Sequence, residues 1–145
     1  MKHPQTLAEN LAKLFPNEDL KVISENACCA FVVLWCLGID PDDIEAIQTI
    51  QRMRLYNVIE NDCTVKWFDV VKYLTGRELR SLEKINITSL RGIKSRTPVL
   101  MACEGNPKDV GHWVGVENGK IKFNPKSYSK NVAEGKPVQM RKLTF

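Results

Sequence analysis

The sequence predicts an α+β domain in which a buried helix from the N-terminal half packs against a C-terminal antiparallel sheet. Three observations carry that expectation. From Ala27 to Leu37 the chain is apolar on nearly every side, which marks a helix enclosed in a core. Around that stretch, as far as Gly76, apolar residues recur at helical spacing. Beyond Gly76 the texture changes to short apolar runs bounded by turn residues, including Asn118-Gly119, a strong hairpin signal. Helices first and antiparallel strands last is the order of an α+β fold.

A chain of 145 residues has room for a real core, and one domain over residues 1–145 is expected, without internal repeat or linker. The net charge of +4 comes from basic residues scattered along the chain, a solvated surface and not a nucleic-acid footprint. No apolar run is long enough to span a bilayer, so membrane insertion is not expected. Met1-Lys2-His3-Pro4-Gln5 lacks the apolar core of a signal peptide, and a cytoplasmic setting is expected. The five cysteines agree: the number is odd and two are adjacent, which suits no disulfide framework. With no C-x-x-C and only two histidines, His3 and His112, neither zinc nor any other cofactor is expected.

Taken in order, Thr6 can cap a first helix through Phe15, with Leu7, Leu11 and Leu14 on one side. His3, ahead of it, falls in a terminus expected to fray. Leu20 to Ser24 is an ambiguous approach to the apolar helix, which Gly38 can stop in the left-handed conformation. Asp40-Pro41-Asp42-Asp43 reads as a helix start with Asp40 as cap; Ile44, Ile47 and Ile50 then mark an apolar face as far as Leu55. Asn61-Asp62-Cys63-Thr64 is a turn into a further helix carrying Val65, Phe68, Val71 and Leu74 and closed by Gly76. Glu78 to Ile85 reads as a strand, Thr88 to Ile93 as one helical turn, and Thr97 to Cys103 as a buried strand with Pro98 near its start. Glu104 to Val110 is a polar loop, Gly111 to Val116 and Lys120 to Phe123 form the hairpin, and Lys136 to Phe145 is the last strand.

Two stretches carry chemistry. Cys28 stands in the first turn of the apolar helix, where the positive end of the macrodipole lowers a thiol's pKa and favours the nucleophilic thiolate. Read blandly, Cys28, Cys29 and Cys36 are small core residues. Cys29 and Cys36 share one helix face, which makes Cys29 the better core residue, although it stays open as an alternative nucleophile. His112 heads one hairpin strand and Asn124 ends the other, so that an amide can hold an imidazole: nucleophile, base and orienter are the minimal set for covalent catalysis.

The hairpin register bears on that set. A two-residue Asn118-Gly119 turn pairs Val114 with Phe123 and gives a good apolar face, but sends His112 and Asn124 to opposite faces. A three-residue Glu117-Asn118-Gly119 loop with a glycine bulge pairs His112 with Asn124. Apolar patterning favours the first and chemistry the second.

The order Cys at a helix start, His on a strand, then Asn or Asp at the end of the next strand resembles that of the papain-like cysteine peptidases. Cys28-Cys29-Ala30-Phe31 is similar to the Cys-Trp-Ala-Phe around the papain nucleophile. His112-Trp113-Val114 and Phe123-Asn124-Pro125 resemble more closely the bacteriocin-processing branch, which removes double-glycine leaders, with Asn in place of that branch's Asp. Asn61-Asp62-Cys63-Thr64 and the tail from Ser127 to Arg141 are similar to small phage-associated, peptidase-like proteins. The resemblance implies a papain-like fold and a cysteine hydrolase, peptidase or amidase, acting on a peptide or other amide without a cofactor. It implies Cys28 as nucleophile, His112 as base and Asn124 as orienter. The family's oxyanion-hole glutamine has no match, since Val22 stands at its place; Asn26 is the substitute donor. Two alternatives stay open: a binding or effector module that has lost turnover, and an acyl or amide transferase on the same triad.

Overall fold

The structure is a computed structural model that describes residues 1–103 and 111–145; the polar loop expected over 104–110 lies outside the described residues. At its centre is α3 (Cys28–Cys36), whose residues from Ala30 to Trp35 are all buried. Apolar side chains all round leave this helix no face for solvent, so other elements must surround it. It ends where Gly38 takes φ +75 and the Gly38 and Ile39 N–H groups bond back to Trp35 and Leu34 carbonyls, a left-handed stop that glycine makes without strain.

Four further helices contribute buried residues to the same core: α1 (Pro4–Leu14), α2 (Glu18–Asn26), α4 (Asp43–Leu55) and α5 (Trp67–Thr75). The ambiguous Leu20 to Ser24 lies inside α2, which Asn17 caps by accepting the Leu20 N–H. Thr6 is not a cap, because α1 already begins at Pro4, where proline's fixed φ and missing N–H suit a first turn. The cap of α4 is Asp42, bonded to the Glu45 N–H at 2.8 Å; the expected cap, Asp40, instead pairs with the Met1 ammonium at 2.6 Å. On α4 the buried residues are Ala46, Ile47, Ile50 and Met53, while Ile44 is exposed. Of the apolar residues expected along α5, Val65 and Val71 are buried and Leu74 packs against the core, whereas Phe68 is half exposed and Val70 is buried in its stead.

Five strands form one antiparallel sheet: β1 (Ser81–Asn86), β2 (Thr97–Ala102), β3 (His112–Glu117), β4 (Lys120–Phe123) and β5 (Lys136–Thr144), in the order β1-β5-β2-β3-β4. A short helix, α6 (Lys130–Ala133), precedes β5. Thr88 to Ile93 is not a helical turn: Gly92 at φ +90 and the Ile93 N–H on the Leu90 carbonyl make a tight turn instead. The architecture is therefore α+β, with six helices and a five-stranded antiparallel sheet among the described residues.

The sheet presents one face to α3. There the Trp35 ring lies over Gly115, where an added Cβ would come within 2.3 Å of it, and stacks on Phe123 at 6.0 Å. Glycine at that point lets helix and strand approach closely. The opposite face holds a smaller core of Ile93, Val99, Met101, Val114 and Val116.

Candidate active site

The chain passes from α2 to α3 through a single residue, Ala27, so Glu25 and Asn26 close one helix instead of leading into the next. The Ala27 N–H still bonds the Ile23 carbonyl, and the Phe31 N–H bonds Ala27. In an unbroken helix the Ser24 carbonyl would accept the Cys28 N–H. Here that carbonyl is taken by the side chain of Gln5, whose Nε2 donates to it at 2.9 Å. Cys28 thus opens α3, and its N–H is one of the helix-start donors left without an intrahelical acceptor.

Cys28 is half-buried, and burial pushes its thiol above the ordinary range. The backbone N–H groups of Trp113 and Cys29 and the charge of Lys126 act against that shift without reversing it. This corrects the expected depression of the thiol: a helix start supplies a few donors, and loss of water outweighs them. Cys29 is pushed up much further, by burial first and by its neighbour Cys28 second, and it packs against the main core. Burial raises Cys63 to about 11.

The hairpin reconciles the two registers. Its turn is the two-residue Asn118-Gly119 form, with Glu117 opposite Lys120 and Val116 opposite Ile121. Between Val116 and Gly115 the register shifts, and Gly115 faces Phe123, leaving Lys122 as an extra residue in β4. The slip returns Phe123 to the α3 side and brings Asn124 to the side of His112. Asn124 Oδ1 lies 2.7 Å from His112 Nε2.

The same Oδ1 also accepts the Lys126 N–H at 3.1 Å. A backbone donor there identifies the atom as oxygen, so Nε2 of His112 carries the proton and Nδ1 holds the lone pair of the neutral ring. His112 is buried, and burial is the main cause that lowers its pKa below 6.5; the Asn124 bond acts the other way, and Lys126 adds to the lowering. Both shifts favour the uncharged forms, a thiol at Cys28 and an imidazole at His112.

The N-terminal segment holds the turn after Asn124. Gln5 N–H bonds the Pro125 carbonyl, the Ser127 N–H bonds Thr6 Oγ1, and His3 Nδ1 donates to the Asn124 carbonyl at 2.9 Å. His3 therefore lies in no frayed end, because Met1 and Lys2 are themselves tied to Asp40 and Asp43.

Cys28 and His112 line one cavity of about 580 Å³, together with Trp67, Trp113, Lys126 and Gln5. Asn26 also reaches its rim, but its Nδ2 donates to the Val22 carbonyl at 3.2 Å. Sequence reasoning missed Gln5, a residue only 1% exposed whose Oε1 has no hydrogen-bond partner among the described residues. Nothing in its local sequence marks it, since its role comes from a carbonyl on another helix. Among the described residues no group of three His, Cys, Asp or Glu side chains is placed to hold a metal ion, and no helix is long and apolar enough to cross a membrane. Comparison of the chain with protein-family models, with curated proteins and with solved structures finds no match.

Proposed function

We propose that this chain is a cysteine hydrolase, a peptidase or amidase of the papain-like superfamily, working through Cys28, His112 and Asn124. One observation carries the reading: Asn124 Oδ1, fixed by the Lys126 N–H, holds His112 in the tautomer whose free Nδ1 can act as base, in the cavity that Cys28 also lines. In the proposed reaction His112 Nδ1 takes the Cys28 proton as the sulfur attacks an amide carbonyl. The oxyanion is stabilised by the Cys28 N–H, which the Gln5 amide keeps free by occupying Ser24. The imidazolium then returns its proton to the leaving amine, and a thioester remains on Cys28. Water, deprotonated by the same Nδ1, attacks the thioester and releases the acid and the thiol. The neutral resting pair makes proton transfer part of the attack instead of a step completed beforehand.

A second reading, a binding module without turnover, is favoured by one observation: the amide of Asn26 is engaged with Val22 and leaves the oxyanion mainly to backbone donors. A peptidyl vinyl sulfone separates the two. Mass-mapped labelling confined to Cys28 and abolished by His112→Ala is expected of the hydrolase; no labelling, or labelling indifferent to His112→Ala, leaves the module. A transferase on the same triad would label likewise and differ in passing the acyl group to an added amine faster than to water.

A further inference from the structure

Strands β2 and β5 pair only as far as Val99 opposite Met140. The next pair in that register is Pro98 with Arg141, and proline has no N–H to give, so the ladder stops there. Beyond it β2 stays with β3, through Thr97 opposite Val116, and β5 stays with β1, through Thr144 opposite Ser81. A fork opens between them, holding a second cavity of about 610 Å³. The β5 edge from Arg141 to Leu143 faces into it with no strand paired to that side among the described residues.

Among the described residues the walls of the fork have one sign of charge: Arg91, Lys94, Arg96, Arg141 and Lys142 line it, and no Asp or Glu does. Arg96 is tempered by Glu117 at 3.8 Å; among the described residues Arg91, Lys94, Arg141 and Lys142 have no ion-pair partner. Its apolar lining includes Ile85, Ile93 and Leu143. We infer that the fork docks an extended acidic peptide segment, added as a strand along Arg141–Leu143, with carboxylates toward the cations and alternate apolar side chains in the fork. An open strand edge recognises backbone, which neither a fatty anion nor a nucleic acid offers in this form. Arg141 lines both cavities, so a docked chain has a short path to Cys28. That this segment belongs to the substrate rests on the hydrolase reading; the docking itself does not.

The test uses the full chain as Cys28→Ser and follows fluorescence anisotropy of a labelled peptide of alternating Glu and Val. Binding about tenfold tighter than that of the alternating Lys and Val peptide is expected, weakened about tenfold by Lys94→Glu with Lys142→Glu and unchanged by His112→Ala. Equal affinity for the two peptides, indifference to the charge reversals, or tighter binding of decanoate or a labelled oligothymidine would overturn it. Peptide binding in a protein that no vinyl sulfone labels would keep the docking site and remove the hydrolase.

Discussion

At the N-terminal end of α3 the polar groups are held in a connected chain of hydrogen bonds, whereas at its C-terminal end, where Cys36 and Leu37 line the fork, Arg91, Lys94, Arg141 and Lys142 have no ion-pair partner among the described residues. Around Cys28, Asn124 is fixed from three directions: by Lys126 and His112 on its oxygen and by His3 on its carbonyl. Around the fork a missing proline N–H has ended a ladder instead of completing one. Chemistry needs reacting groups held before the substrate arrives, and the first end has that character. A docking surface needs groups whose pairing is left for the partner, and the second has that.

The largest effect is expected from Cys28→Ser. Amide or ester turnover should fall by at least about 10⁴-fold while the melting temperature stays close to that of the parent, because a hydroxyl fills the same space with a poorer nucleophile. A variant that keeps its rate would move the chemistry away from this end of α3.

Gln5→Leu comes next. Freed from Gln5, the Ser24 carbonyl can accept the Cys28 N–H and continue the helix, which removes an oxyanion donor. Loss of about 10²-fold in kcat with KM little changed is expected. Equal losses in kcat and melting temperature would make Gln5 a packing residue only.

The pH profile separates the ends without a mutation. His112 must be neutral to act as base, and its pKa is lowered below 6.5, so the acid limb of kcat/KM should have its midpoint below 6.5. The same depression makes stability greatest above 6.5 and lost as pH falls through the folded-state pKa, since the unfolded chain then binds the proton more readily. A midpoint above 6.5 would mean that an ion pair forms in the resting site after all. The smallest effect belongs to the fork: Lys142→Glu should change turnover of a small uncharged ester by less than about twofold.

What was legible in the sequence was local. Cys28 at the start of an apolar run, His112 at a strand head and Asn124 before Pro125 each announce themselves within a few residues. The α+β order, the Asn118-Gly119 turn and the Gly38 and Gly76 stops were readable for the same reason. What escaped depends on contacts distant in sequence. Asp40 and Asp42 satisfy the same cap grammar, and only the Met1 ammonium decides between them. The extra residue Lys122, which brings His112 and Asn124 together, has no signature beyond the pairing itself. Pro98 was visible near a strand start, yet the fork it opens depends on which strand lies beside it.

Acylation by p-nitrophenyl acetate, followed by peptide mapping in the first turnover, tests the central claim most directly. A burst of nitrophenol is expected, with the acetyl group on Cys28 alone and the burst slowed at least about 10²-fold in His112→Ala. Acetyl on Cys29 or Cys103, or a burst whose rate ignores His112→Ala, would contradict the assignment of Cys28 and His112 as nucleophile and base.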